Sequence, residues 1–120
     1  MKFDEIIKSI SDDFTKAWND WDVDKMKNYL TDYVIIYSPK IQLVYPDNVG
    51  CKLEGKDQVI EYWKQLKSKI ENYKVVQLSV CKDNREVKTV NRVVGSDIIV
   101  YETFVVNEYG KIEYLKYEYE

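Results

Sequence analysis

Histidine is absent from this chain of 120 residues. Its absence excludes the Ser-His and Cys-His pairs of nucleophilic catalysis, an imidazole general base and ordinary zinc sites. Any acid–base chemistry must therefore use carboxylates, tyrosines or lysines. This is the strongest exclusion that the sequence provides.

Cysteine and arginine are scarce. Cys51 and Cys81 are too few for a disulfide scaffold, so we expect two reduced thiols, and Cys51 has no clear basic cluster that would activate it. Only Arg85 and Arg92 offer the fork suited to phosphate. The net charge is −3, with acids and bases interleaved, so we expect neither nucleic acid nor an anionic membrane as a partner.

Long apolar runs are also missing. None approaches the roughly 18 residues that a membrane-spanning helix needs. The first five residues, Met-Lys-Phe-Asp-Glu, carry acids where a signal peptide needs a bare apolar stretch. The sequence therefore predicts a soluble, cytoplasmic protein.

Apolar residues make up 45% of the chain, enough for the core of one domain spanning residues 1–120. The first half is mostly helical in pattern. Apolar residues at spacings of three and four predict a helix over residues 3–21, Asp22 is placed to cap a second helix, and a third follows Gly55. Residues 34–37 are typical of a strand, residues 38–54 form a long connection, and residues 41–44 within it are assigned to a short strand.

Residues 73–120 are predicted to form a row of strands that is apolar on both faces. Turns are expected at Asp83-Asn84, at Gly95-Ser96 and over residues 107–110. One face must cover the helices, and the other can meet a second copy of the protein. Ile99, Tyr101, Ile112 and Tyr114 are assigned to the outer face, which predicts a homodimer.

The turns fix which side chains share the inner face. The predicted cross-strand pairs are Asn91 with Val100, Thr89 with Glu102, Glu102 with Leu115, Val100 with Tyr117, and Ile98 with Tyr119. Val76, Leu78 and Val80 are predicted to join that face from the preceding strand, and Val75 is assigned to the outer one. Glu102, Tyr117 and Tyr119 are therefore expected to point to the same side.

Three stretches carry a resemblance to a known family: Ala17-Trp18-Asn19-Asp20-Trp21-Asp22, then Glu54-Gly55-Lys56-Asp57 with the helix after it, then residues 106–112. In this order they resemble the nuclear transport factor 2-like superfamily, in its SnoaL-like, ketosteroid isomerase-related branch. The resemblance implies an α+β, cone-shaped fold in which a curved mixed or antiparallel sheet cups three helices around a pocket. It also implies dimers that form through the outer sheet face.

Comparison with ketosteroid isomerase places Ser38 at the position of the catalytic carboxylate base, Phe14 at that of the tyrosine, and Glu102 at that of the protonated acid. Ser38 cannot abstract a carbon-bound proton unaided, and Phe14 donates no hydrogen bond. Steroid isomerisation is therefore not expected. The histidine-dependent dehydratase branch is excluded as well, and Arg92 lacks the aspartates of the epoxide hydrolase branch.

Glu102 is the candidate catalytic residue, because a carboxyl group among apolar side chains has a raised pKa and can donate a proton. The alternative is a solvated carboxylate at the pocket rim. The candidate ligand-binding residues are Phe14, Trp18, Tyr37, Ser38, Trp63, Thr89, Asn91, Leu115, Tyr117 and Tyr119. Their rings favour a small apolar, flat or cyclic ligand, although the same rings could fill the cone as core.

Three functions remain open at this stage. The first is a binding domain for a small apolar molecule without catalysis, and the second is a small isomerase, cyclase or hydrolase that uses Glu102. The third is a protein-interaction module. No metal and no cofactor are predicted.

Overall fold

The computed structural model describes residues 3–70 and 73–120. The elements are α1 (Phe3–Asn19), α2 (Val23–Lys27), β1 (Leu30–Tyr37), α3 (Ile41–Val44), β2 (Lys52–Glu54), α4 (Lys56–Lys69), β3 (Val75–Asp83), β4 (Glu86–Val93), β5 (Ile99–Val106) and β6 (Ile112–Tyr119). The predicted division into a helical half and a β half is confirmed. Among these described residues, no helix combines the length and the apolar character needed to cross a bilayer.

The helices pack their apolar stripes against one face of the sheet. Helix α1 buries its apolar side, and α4 does the same with Val59, Trp63 and Leu66. Helix α2 begins after Asp22, whose Oδ1 accepts a hydrogen bond from the backbone N–H of Lys25 at 3.1 Å. That contact is the predicted N-cap.

Residues 41–44 form a short helix, so the prediction of a strand there was wrong. Pro39 follows Ser38 in a turn closed by the Ile41 N–H on the Ser38 carbonyl at 3.1 Å. Proline at the second position of such a turn fixes the backbone angle that the turn needs. The chain then continues helically, and the Tyr45 N–H bonds to the Ile41 carbonyl at 2.8 Å.

The strands form one six-stranded sheet in the order β2-β1-β6-β5-β4-β3. Strand β1 pairs with β6 in parallel, and the other neighbours are antiparallel. The sheet is therefore mixed, it is not closed into a barrel, and the predicted α+β class is confirmed. Its inner face and the helices enclose a core that includes Phe14, Met26, Trp63, Phe104 and Leu115.

The register between β5 and β6 differs from the prediction by two residues. Glu102 lies opposite Tyr117 and Val100 opposite Tyr119. The bulge at Glu113 accounts for one residue of this difference, and the turn, in which the Asn107 N–H bonds to the Lys111 carbonyl, accounts for the other. A shift of two keeps every inward side chain inward. The bulge also turns Ile112 into the core, fully buried, so its assignment to the outer face is corrected.

Strand β3 contains a second irregularity, between Gln77 and Ser79. It places Val75 opposite Val93 on the inner face and Val76 opposite Arg92 on the outer face, the reverse of the prediction. The turn before β4 also lies one residue later than expected, over residues 84–85, with Asn84 at φ 55°. Val76, Leu78 and Val80 are 44%, 52% and 44% exposed, so this edge strand contributes little to the core beyond Val75.

Candidate ligand-binding cavity

A small cavity lies between α1 and the inner face of strands β3 to β6. Helix α1 contributes Thr15 and Trp18, and the sheet side contributes Tyr73, Val75, Asn91, Val100, Glu102, Tyr117 and Tyr119. The space open to the centre of a water molecule is about 20 Å³. That volume has room for about one ordered water. Of the residues predicted to bind ligand, Trp18, Asn91, Tyr117 and Tyr119 line this cavity, together with Glu102.

Glu102 is buried at the inner wall and ends a short chain of hydrogen bonds. The Asn91 amide donates to the Thr89 hydroxyl oxygen at 2.8 Å, and the Thr89 hydroxyl donates to Oε1 of Glu102 at 3.2 Å. Burial raises the pKa of Glu102, and the contacts with Tyr117 and Thr89 offset part of that rise. A protonated Glu102 has one O–H to donate, and Thr89 already occupies its other oxygen.

Tyr117 lies beside Glu102 and stacks on Trp18. The ring centroids are 5.7 Å apart and the planes differ by 24°. Burial is the main cause that raises the pKa of Tyr117 well above its ordinary value, and the neighbouring Glu102 adds to it. The Tyr117 hydroxyl is close enough to Glu102 for each to affect the other's pKa, yet within the described residues it has no hydrogen-bond partner of ordinary geometry.

Tyr73 and Tyr119 form the less buried side of the cavity, and Lys40 covers it from outside. The Lys40 ammonium lies 4.0 Å from the ring centroid of Tyr119 and 4.6 Å from that of Tyr73. Both are cation–π distances. Burial lowers the pKa of Lys40 and raises that of both tyrosines. The Tyr73 hydroxyl is buried and close enough to Tyr119 for each to affect the other's pKa, yet among residues 3–70 and 73–120 it has no hydrogen-bond partner of ordinary geometry.

Ser38 lies behind this wall, at the end of β1. Its buried hydroxyl oxygen accepts a hydrogen bond from the Lys40 backbone N–H at 3.2 Å. Its side chain also interacts with Tyr62 and Tyr119, which lowers the pKa of each phenol, although burial raises both pKa values by more. Ser38 therefore supports the cavity wall, and no carboxylate occupies this position.

The other predicted binding residues lie elsewhere. Phe14 and Trp63 are core residues with ring centroids 6.0 Å apart, and Leu115 is fully buried opposite Phe104. Tyr37 is on the outer face, because its neighbour Ile36 points inward, and its ring meets Tyr114 at 5.7 Å. Thr89 does not line the cavity, but it donates a hydrogen bond to Glu102, which does.

Sequence reasoning missed Thr15, Tyr73, Val75 and Lys40. Thr15 precedes Trp18 by three residues on the same helix face, a spacing that could have identified it. Val75 faces inward only because of the bulge in β3. Tyr73 and Lys40 lie outside the regular strands, where no periodicity predicts the direction of a side chain.

Other chemistry is sparse in the described part of the chain. Cys51 and Cys81 are both free thiols. Among residues 3–70 and 73–120, no group of three or more carboxylates and cysteines is arranged to hold a metal ion.

Comparison with known proteins identifies the fold. No protein-family model matches the sequence, and no curated protein matches it either. Solved structures do match. A SnoaL-like protein of unknown function from Burkholderia thailandensis has a TM-score of 0.84 and 19% identity, covering 100% of this chain and 99% of that one.

Two further structures are informative. A proposed ketosteroid isomerase from Kribbella flavida has a TM-score of 0.77 at 8% identity, covering 97% of this chain and 78% of that one. TerC, co-crystallised with polyporic acid, has a TM-score of 0.76 at 10% identity, covering 96% and 92%. The chain therefore has the fold of nuclear transport factor 2-like and SnoaL-like proteins, as the sequence resemblance predicted.

Proposed function

We propose that this protein binds a small, flat, mainly apolar molecule that carries a hydrogen-bond acceptor, without transforming it. One observation carries the proposal. The buried hydroxyls of Tyr73 and Tyr117, both without a partner in the described part of the chain, belong to the same cavity as Glu102.

Unsatisfied buried hydroxyls are costly, each by about 1–3 kcal/mol. An acceptor oxygen on a ligand would accept a hydrogen bond from Tyr117 and so remove that cost, and it would also accept one from a protonated Glu102. Trp18 and the tyrosine rings would cover the faces of a flat molecule. TerC, which shares the fold, was co-crystallised with polyporic acid, and this lends support to a cyclic ligand.

The size of the cavity sets a condition on this binding. Because the open space of about 20 Å³ suits a single water molecule, a larger ligand requires movement of a wall residue. Tyr73 is the candidate, since it lies before β3 at the half-buried side of the cavity. A water molecule that bonds to both hydroxyls is the competing occupant.

The test uses 2-naphthamide, a flat neutral molecule with a carbonyl acceptor. Its binding is followed by quenching of tryptophan fluorescence and by changes in NMR chemical shift at Trp18. Tyr117→Phe removes the inner hydroxyl, and we expect it to weaken binding about tenfold. Tyr101→Phe is the matched control, because that hydroxyl is exposed on the outer face and bonds to Glu120 at 2.6 Å.

Shift changes at Trp18 that depend on the Tyr117 hydroxyl would support the proposal. No binding, or shift changes confined to residues outside the cavity, would contradict it. Equal effects of the two phenylalanine variants would show that the inner hydroxyl does not hold the ligand.

A second candidate function is proton-transfer catalysis by Glu102, favoured by its raised pKa beside Tyr117. Glu102 would donate a proton to a carbonyl oxygen while water removes the α-proton, as in an isomerase or cyclase. The measurement is exchange of the α-protons of 2-tetralone with deuterium in D₂O. Equal exchange rates for the wild type and Glu102→Gln would exclude this role.

We also infer a homodimer formed through the outer sheet face. Ile99, Val105 and Tyr114 are half-buried there and Tyr101 is 38% exposed, although no helix covers them in the described residues. Ile99→Lys should produce monomers in light scattering at micromolar concentration, whereas Leu43→Lys on α3 should not. A wild-type monomer would contradict the dimer, and one that also binds no probe would favour the protein-interaction module.

A further inference from the structure

Among the described residues that contact the cavity wall, Lys40 carries a charge that the proposed binding mode does not use. Its backbone is held in place, because its N–H bonds to the Ser38 hydroxyl oxygen at 3.2 Å and the next residue closes the turn on the Ser38 carbonyl. The side chain then runs back over Tyr73 and Tyr119. The ammonium therefore lies at the less buried side of the cavity, which Tyr73 and Tyr119 form.

The ammonium has no carboxylate partner within the residues that the structure describes. Ion pairs in this part of the chain join Lys52 to Glu54, Lys56 to Asp32, Lys88 to Glu86, and Lys116 to Glu118. Lys88 and Lys116 are exposed, and Lys52 and Lys56 are partly exposed. Lys40 is also partly buried, and burial lowers its pKa. Desolvated charges in proteins are normally paired.

The two ring faces supply only part of that compensation. Cation–π contacts occupy only the side of the ammonium that faces the rings. Glu102 is the acid within the cavity, but it is buried, its Oε1 accepts a hydrogen bond from Thr89, and it forms no ion pair with Lys40 in the described part of the chain. The less buried side of the cavity therefore has a positive charge without a carboxylate partner, and its inner side has the Tyr117 hydroxyl.

We propose that the ligand is a small aromatic carboxylate, whose ring lies against Trp18 and whose anionic group pairs with the Lys40 ammonium. This inference rests on the proposed binding function and narrows it to one chemical class. An anion at Lys40 would form a charge-assisted hydrogen bond, which is stronger than a neutral one. Displacement of Tyr73, which a ligand of this size requires, would uncover the ammonium at the same time.

The experiment compares 2-naphthoate with 2-naphthamide, which share a ring system and differ in charge. Isothermal titration should show that the wild type binds naphthoate about tenfold more tightly than naphthamide. Lys40→Met keeps the apolar stem and removes the charge. It should abolish the preference for naphthoate over naphthamide, measured as the ratio of the two affinities within the variant, and Lys40→Arg should retain that preference.

Lys8→Met is the matched control, because Lys8 is exposed on α1 and its loss changes the net charge by the same amount. It should leave both affinities unchanged. Thermal melting of each variant establishes that it is folded.

Equal binding of the two probes by the wild type would overturn this inference alone and leave the proposed function standing. A preference for naphthoate that survives in Lys40→Met, or that Lys8→Met also abolishes, would overturn it as well. Absence of binding for both probes would contradict both the inference and the proposed function.

Discussion

The side chain of Asn19 forms two hydrogen bonds with the backbone of Val75. Its amide donates to the Val75 carbonyl at 3.0 Å, and its oxygen accepts from the Val75 N–H at 2.9 Å. The last residue of α1 thereby satisfies both backbone groups of the first residue of β3, as a neighbouring strand would do in a sheet. Because Val75 lines the cavity, this bridge also positions one of its walls.

Asn19→Asp should weaken this connection. A carboxylate can still accept from the Val75 N–H, but it cannot donate to the carbonyl and would repel it. We expect the free energy of unfolding to fall by about 1–3 kcal/mol, as measured by urea denaturation, and the Val75 amide to exchange faster with deuterium.

Asn28→Asp adds the same charge at an exposed position and should change stability by less than about 0.5 kcal/mol. Equal losses in the two variants would show that the bridge contributes nothing specific.

Glu102→Gln should change how stability depends on pH. The unfolded pKa is near 4.5 and burial raises the folded value, so between these two values the folded protein binds more protons than the unfolded chain. The free energy of unfolding contributed by Glu102 therefore falls as pH rises through this window and is constant above it. Glutamine removes that dependence, which amounts to about 1.4 kcal/mol for each unit by which the pKa is raised.

Urea denaturation of both proteins from about pH 4 to about pH 8 tests this, and the stability of Glu102→Gln relative to the wild type should increase with pH. Other titrating groups cancel in the difference. A difference that does not change with pH would mean that Glu102 is not shifted in the folded protein.

Trp18→Leu should destabilise the protein and enlarge the cavity. Trp18 contacts the rings of Tyr117 and Trp21 at centroid distances of 5.7 and 4.9 Å, and a smaller side chain loses both contacts. We expect a loss of about 2–4 kcal/mol in the free energy of unfolding, measured by urea denaturation.

Tyr109→Leu removes an aromatic ring that is 80% exposed and should alter stability by less than about 0.5 kcal/mol. If Trp18→Leu costs no more than this, the indole is not part of the packed core.

Asp22→Ala should cost about 1 kcal/mol, because it removes the carboxylate that caps α2 by accepting from the Lys25 N–H. Thermal or urea unfolding measures the change. Asp24→Ala, within the first turn of the same helix, removes an acid without removing the cap and should cost less. The reverse order would show that Asp22 does not act as the cap.

The features that follow from local patterns could be predicted from the sequence. The buried stripe of α1, the cap at Asp22 and the pairing of Thr89 with Glu102 depend only on nearby residues and one turn. The order of helices and strands, together with the three stretches that resemble a known family, then predicted the fold. The inward direction of Tyr117 and Tyr119 was predicted correctly although the predicted register was wrong. The register differs by two residues, and a shift of two leaves each side chain on the same face.

The features that depend on irregular backbone could not be predicted. Val75 and Ile112 each lie near a bulge, which reverses the face of the residues before it. Because both faces of the sheet carry apolar residues, the sequence pattern does not reveal such a reversal. Lys40 and Tyr73 approach each other across the chain from two connecting segments. Their contact is set by the packing of α3 and α4 near β1, and no spacing in the sequence encodes it.

The parallel pairing of β1 with β6 has a consequence for how the chain folds. The strands β3 to β5 are joined by short turns, but β1 and β2 can attach to them only after β6 has inserted between the two groups. Contacts between such distant parts of a sequence form slowly. During synthesis on the ribosome the sheet therefore stays divided until β6 has emerged. Tyr117 and Tyr119 arrive with that strand, so the cavity is completed last.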